Sequence, residues 1–204
     1  MTELSCINEW LGVVEYDEGL LIQQRRHEAA QSNNKNFILG LEHQSVITLG
    51  KRGDQAVDVA SHSRLPIYKI DRGGQATLHS PGQLVIYPII NIEKFGYSVR
   101  QFVEILQDAT IQTLKAFQID AFVASQPGVY TKNGKIGFLG IRVENGITRH
   151  GVSLNVCNEL DLFSQIRSCG VGNSILDSMQ MHGVSNTPEQ VFEVWSREFK
   201  KHLT

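Results

Sequence analysis

Short apolar runs alternate with polar segments through the first 90 residues of the chain. Runs of this length between polar or glycine-containing stretches predict β-strands, at residues 11–14, 37–41, 46–49, 67–70 and 84–90. The longer segment between the first two runs, residues 17–31, predicts a helix. A glycine-rich stretch between the last two runs, residues 72–83, predicts a loop that packs closely against a ligand.

Two later segments carry signals for the start of a helix. Ser98 and Gln101 form a capping box, and apolar residues follow them at near-helical spacing, so we expect an amphipathic helix over residues 98–117. Thr187, Pro188 and Gln190 supply an N-cap, a proline at the first helical position and a capping glutamine. A helix should therefore close the chain.

Two Asn-Gly pairs, at 133–134 and 145–146, lie between β-prone runs, which is a strong short-range signal for hairpins. They predict a three-stranded antiparallel meander over residues 128–156, with Lys135 at the start of its middle strand. Runs of strands separated by a few long helices indicate the α+β class, with helices packed against a mixed or mainly antiparallel sheet.

Composition narrows the range of functions. A chain of 204 residues, 41% of them hydrophobic, can bury one sizeable core, so we expect a single domain over residues 1–204. The formal charge of −2 gives no bulk attraction for nucleic acid or an anionic membrane, and neither is an expected partner. No apolar run is long enough to cross a bilayer, and no signal-peptide pattern opens the chain, so we expect a soluble, uncleaved protein.

The three cysteines are Cys6, Cys157 and Cys169. They are odd in number and lack CxxC spacing, which argues against a disulfide framework or a zinc site. The seven histidines also lack metal-ligand spacing. We therefore expect free thiols, a cytoplasmic location, no metal and no cofactor.

Cys169 is the best candidate nucleophile. It lies in the sequence Ser-Cys-Gly-Val-Gly, in which the glycines let the backbone approach a bound group and present amide N–H groups to an oxyanion. Such a thiol needs a neighbouring cation or base, for which Lys135, His79 and His150 are candidates. The alternative is that Cys169 simply packs, as most free cysteines do. Cys6, in a polar tail, and Cys157, after a strand, look structural.

Three blocks of the chain resemble the lipoyl(octanoyl)transferase family. They are residues 72–79 (RGGQATLH), 135–142 (KIGFLGIR) and 150–155 (HGVSLN), and the Cys169-Gly170 pair completes the pattern. The resemblance implies a fold like that of the catalytic domains of biotin and lipoate ligases. It also implies transfer of an octanoyl group from octanoyl-acyl carrier protein to a lysine of lipoyl domains, such as those of 2-oxoacid dehydrogenase complexes and the glycine cleavage protein.

The resemblance also assigns roles to residues. It implies that Cys169 carries the acyl group and that Lys135 is its activating partner. The positions that would line the acyl pocket are Arg72, Gly73, Gly74, Gln75, Ala76, Thr77, Leu78, His79, Phe138, Leu139, Gly140, His150, Gly151, Val152 and Ser153. Three positions depart from the family pattern: Ser80 replaces a usual glycine, Arg149 a common aromatic residue, and Ser168 a frequent proline.

The residues leave three alternatives open. An ATP-dependent lipoate or biotin ligase would need nucleotide and would survive loss of Cys169. A Cys/His hydrolase of thioesters or peptides would use His79 or His150 as its base. A non-catalytic module would bind acyl carriers without a covalent adduct.

Overall fold

The computed structural model describes residues 6–33, 35–167 and 175–203. Its main element is a six-stranded mixed sheet, whose strands in spatial order are β1 (Cys6–Val14), β2 (Asn36–His43), β6 (Gln83–Ile89), β9 (Ile147–Asn155), β8 (Gly134–Glu144) and β7 (Val129–Thr131). The first two strands pair in parallel and all the other neighbours are antiparallel.

A second, three-stranded sheet supplies part of the cavity wall described below. Its order is β4-β3-β5, with β3 (Val46–Leu49) in the centre, β4 (Ile67–Lys69) parallel to it and β5 (Ala76–His79) antiparallel. Its apolar residues form a cluster that includes Leu78 and Phe138, so the small sheet packs against strand β8 of the large one.

Helices cover both faces of the large sheet. Helix α1 (Tyr16–Asn33) packs on one face, against Leu39 and Val85 among others. Helices α3 (Val99–Ala116) and α4 (Pro188–Lys200) pack on the other, where Phe102, Trp195 and Phe199 are fully buried. The short helix α2 (Gln55–Asp58) and three 3₁₀ turns, at Ile92–Phe95, Leu160–Gln165 and Met179–His182, complete the described chain.

The local signals in the sequence predicted much of this. The capping boxes at Ser98 and Thr187 form and begin α3 and α4. The meander of β7, β8 and β9 is present, and Asn145 and Gly146 both have positive φ in the second turn. In the first hairpin the turn falls one residue earlier, because Gly134 already belongs to β8. The α+β class is confirmed.

Two expectations were wrong. The predicted loop over residues 72–83 contains strand β5, whose hydrogen bonds to β3 come from a segment distant in sequence. Cys6 does not lie in a tail, because it is the first residue of β1 and pairs with Asn36. Within the three described ranges, no helix is both long and apolar enough to cross a membrane.

Candidate active site

A cavity of about 520 Å³ lies between strands β8 and β9 of the large sheet and β5 of the small one. All the positions that the sequence predicted for a pocket line this cavity, except Leu78. The side chain of Leu78 is fully buried in the apolar cluster behind β5. The tertiary structure thus brings the three sequence blocks to one cavity, whose volume is typical of small-molecule sites.

Lys135 also lines the cavity, and its side chain is nearly buried. Its Nζ donates a hydrogen bond to the backbone oxygen of Pro127 at 2.8 Å. Nζ lies 4.8 Å from the ring centre of Phe138 and 5.6 Å from that of Tyr130. Two aromatic faces and a carbonyl therefore surround the Lys135 Nζ, in a place from which water is largely excluded.

Cys169, the predicted nucleophile, lies outside the described residues, as does the departure at Ser168. Neither described thiol is activated. Burial raises the pKa of Cys6 to about 12. The pKa of Cys157 is also raised, mainly by burial and then by the nearby Glu42 carboxylate. A thiol with a raised pKa is a poor nucleophile at neutral pH.

His79 contributes a neutral ring to the cavity wall. The side-chain amide N–H of Gln83 donates to Asn155 at 3.0 Å, so the Gln83 oxygen faces His79 and must accept from its Nδ1–H at 2.7 Å. Burial, followed by repulsion from His43, lowers the pKa of His79 to about 3. The hydrogen-bond chain therefore fixes one tautomer, in which Nε2 carries a lone pair.

The sequence analysis missed three aromatic residues near this ring: Tyr16 and His43 have ring centres 6.3 and 5.7 Å from that of His79, and Tyr87 packs on His43. Tyr16 and Tyr87 line the cavity, and His43 lies between them. The Nδ1 of His43 is 3.1 Å from the Val14 carbonyl, so it donates, and Nε2 accepts from the Tyr87 hydroxyl at 2.7 Å. Burial lowers the pKa of His43 to about 4 and raises the pKa of both tyrosines. No local motif marks these three positions.

His150 lies in a strained part of the cavity wall. Its φ of +57° is unusual for a residue with a side chain, and its backbone N–H donates to Gln23 of helix α1 at 2.7 Å. Its ring Nε2 lies 3.1 Å from the Asp71 carboxylate. Burial lowers the pKa of His150, and the hydrogen bond to Asp71 offsets part of this effect.

Asp71 is the acceptor for a group of cations outside the cavity. Arg149, one of the departures from the family pattern, donates to Asp71 at 2.6 Å and to Glu144 at 3.0 Å. Arg142 lies 3.7 Å from the same carboxylate. The hydrogen bond from His150, together with the charge of Arg149, lowers the pKa of Asp71 to about 2. Arg149 therefore binds the carboxylate that holds the His150 ring, and it does not itself line the cavity.

Arg72 fixes the glycine-rich segment. Its guanidinium donates to the Thr48 carbonyl and hydroxyl, each at 2.8 Å, and to the Gly73 carbonyl at 2.9 Å. A Cβ at Gly140 would lie 3.1 Å from both the Arg72 side chain and the Gly73 oxygen, so this glycine permits close packing of β8 on the segment. Ser80, another departure, is buried but does not line the cavity.

The two ends of the cavity differ in chemistry. Ile141 pairs with His150, and Lys135 precedes Ile141 by six positions on β8, which corresponds to roughly 20 Å along a strand. The middle carries apolar surface, including Phe138, Leu139 and Val152. In the parts of the chain that the structure describes, no three His, Cys, Asp or Glu side chains form a metal-ligating group. The arrangement suits an apolar chain whose reacting end lies at the lysine.

Comparison with known proteins agrees with this geometry. The family model of the lipoyl protein ligase A/B catalytic domain matches residues 15–200. A curated octanoyltransferase of Shewanella pealeana is 34% identical over 193 residues, which cover 92% of this chain and 88% of that protein.

Solved structures share the fold at low identity. A lipoate-protein ligase A bound with ATP has a TM-score of 0.76 at 14% identity and covers 98% of this chain and 85% of its own. The biotin protein ligase from Aquifex aeolicus in complex with biotin and ATP has a TM-score of 0.59 at 13% identity. That match covers 97% of this chain and 70% of the ligase chain. At these identities the two structures establish a common fold and nothing finer, which confirms the expected likeness to ligase catalytic domains.

Proposed function

This chain belongs to the lipoyl protein ligase A/B catalytic domain family, and we propose that it moves an octanoyl group between two carrier proteins through a thioester on Cys169. Its octanoyltransferase relatives make it an acyltransferase of protein lipoylation. The proposed donor is octanoyl-acyl carrier protein. The proposed acceptors are lysines of lipoyl domains, including those of 2-oxoacid dehydrogenase complexes and the glycine cleavage protein.

The observation that carries the proposal is the cavity with Lys135 at one end of an apolar wall. In the first transfer the Cys169 thiol gives its proton to Lys135, and the thiolate attacks the donor thioester carbon. The tetrahedral intermediate collapses with loss of the donor thiolate, which takes the proton back from Lys135. The enzyme is left with an octanoyl thioester on sulfur.

In the second transfer the acceptor lysine attacks this thioester. Lys135 removes a proton from the incoming amine and returns it to the Cys169 sulfur as that sulfur leaves. An amide forms, the thioester breaks, and the enzyme returns to its starting state. Because the donor thioester is already activated, no nucleotide is needed, which separates this function from that of a ligase.

The cavity wall provides the binding energy for the acyl chain. Burial contributes roughly 0.8 kcal/mol per methylene, so a medium-length chain gains several kcal/mol without a charged contact. We propose that the predicted pocket positions that line the cavity, from Arg72 to His79 and on β8 and β9, bind this chain.

Intact-protein mass spectrometry with octanoyl-acyl carrier protein, and without ATP, tests the proposal. The wild type should gain one octanoyl group, Cys169→Ala should gain none, and Lys135→Met should gain it slowly. Cys157→Ala is the matched control, because it removes an exposed thiol and should leave the gain unchanged. A folded wild-type protein that stays unmodified, or a Cys169→Ala variant that is still modified, would contradict the thioester route.

A further inference from the structure

A buried polar cluster lies beside the lysine end of the cavity, and its centre is Asp177. This side chain is fully buried. Its carboxylate accepts hydrogen bonds from the Thr131 hydroxyl, from the Ser178 backbone N–H at 2.9 Å and from Nε2 of His182 at 2.6 Å. A carboxylate taken out of water is stable only with partners of this kind, so the cluster depends on all its members.

The backbone around Asp177 is bonded directly to Lys135. The Lys135 N–H donates to the Ile175 carbonyl at 2.9 Å, and the Asp177 N–H donates to the Lys135 carbonyl at 2.9 Å. Leu176 forms a parallel bridge with Lys135. A Cβ at Gly134 would lie 2.5 Å from the Ile175 oxygen, so a glycine is needed for this approach. Residues 175–177 therefore hold both backbone polar groups of Lys135.

A hydrogen-bond chain extends the same cluster to the opposite wall of the cavity. The Asn155 side-chain amide donates to the Asp177 carbonyl at 3.0 Å. Asn155 in turn accepts from Gln83 at 3.0 Å, and Gln83 accepts from His79 at 2.7 Å. These hydrogen bonds link the His79 ring to the segment that holds Lys135, and they therefore fix the position of one cavity wall relative to the other.

We propose that Asp177 is a positioning residue for acyl transfer, which fixes Lys135 through residues 175–177. This inference rests on the proposed function. Loss of the carboxylate would leave the Thr131 hydroxyl and the His182 ring without their acceptor, and the segment bonded to Lys135 would shift. A displacement of about 1 Å in a reacting group can slow a reaction roughly a hundredfold, even when substrate binding is unchanged.

The test compares two disrupted clusters with a matched control. Asp177→Asn removes the charge and an acceptor atom, and Thr131→Val removes one donor. Thr148→Val is the control, because Thr148 is equally buried and bonds the backbone of Pro88 and Ile90 away from the cluster. At saturating donor we expect octanoyl gain to slow about tenfold or more in Asp177→Asn, with the donor KM changed less than about twofold. Thr131→Val should be slowed less, and Thr148→Val should keep the wild-type rate.

A second readout is independent of catalysis. Amide hydrogen exchange, followed by mass spectrometry, should become faster in Asp177→Asn for peptides that carry the Lys135 and Asp177 N–H groups, and stay unchanged for peptides of α3. An Asp177→Asn variant with the wild-type rate, or a Thr148→Val variant that is slowed equally, would overturn the inference while leaving octanoyl transfer intact. A wild type that is never acylated would instead overturn the proposed function, and this inference with it.

Discussion

Gly128 leaves the space that the Lys135 side chain occupies. Its φ is +145°, which residues with a side chain rarely adopt. A Cβ built at this position would lie 2.5 Å from Cε and 3.1 Å from Nζ of Lys135, and 2.9 Å from the Gly137 carbonyl oxygen. The substitution Gly128→Ala therefore has to displace the lysine or move the backbone of β8.

The expected size of the effect follows from these distances. Ordinary van der Waals contact begins at 3.4 Å, so Cε must retreat by about 1 Å. A shift of this size in a catalytic group costs roughly a hundredfold in rate, or about 2.7 kcal/mol in transition-state stabilisation. The backbone strain of an alanine at positive φ should lower the free energy of unfolding by about 1–3 kcal/mol as well.

Two measurements on the same variants separate displacement from strain. Octanoyl gain by mass spectrometry reports the rate, and urea unfolding reports the stability. Gly96→Ala is the control, since Gly96 also has positive φ, at +70°, but has no atom within 4 Å of its built Cβ. It should lose stability but keep its rate. If Gly128→Ala were acylated at the wild-type rate, or if Gly96→Ala lost as much activity, the argument from lysine displacement would be refuted.

Three further predictions concern stability and are checked by denaturant unfolding. The folded-state pKa of Asp71 is lowered from 3.8 to about 2, so its stabilising effect is complete above pH 3.8 and is lost as the pH falls towards 2. The variant Asp71→Asn should therefore lose less unfolding free energy than the wild type across that pH interval. The folded-state pKa of His43 is lowered from 6.5 to about 4, so the unfolded chain binds more protons below pH 6.5 and the stability falls as the pH drops towards 4. The variant His43→Gln should flatten that decline. An unchanged slope would contradict the lowered pKa of His43. A Cβ at Gly40 would lie 2.5 Å from the Phe192 ring, so Gly40→Ala should cost about 1–3 kcal/mol by overpacking, and a variant as stable as the wild type would show that α4 can shift.

Some elements follow from local sequence because their cause is local. The capping boxes at Ser98 and Thr187 satisfy the first backbone N–H groups of α3 and α4 with side chains three residues away at most. Asn145 and Gly146 adopt the positive φ that a tight hairpin turn requires. Such signals need no knowledge of the rest of the chain, and they predicted the helices and the meander.

Helix α1 was predicted over residues 17–31 and is present, but the local pattern did not show which of its residues are buried. Its buried positions recur at helical spacing, but they include Gln23 and His27, so no apolar stripe marks its inner face. Gln23 is buried because it accepts from the His150 backbone, and His27 because it lies 3.2 Å from the Glu144 carbonyl. These partners are more than a hundred positions away, and only the folded chain supplies them.

Local patterns in the sequence predict the α+β class, the strand-rich middle of the chain and the blocks that meet at the cavity, because each depends on hydrophobic pattern, turn residues or a motif. Which distant groups complete that cavity depends on the folded chain. Tyr16 of α1, His43 of β2 and Tyr87 of β6 come together there, and the backbone N–H of Asp177 donates to the carbonyl of Lys135 on β8. Buried polar groups must find partners wherever the fold brings them, and a linear pattern does not record such pairings.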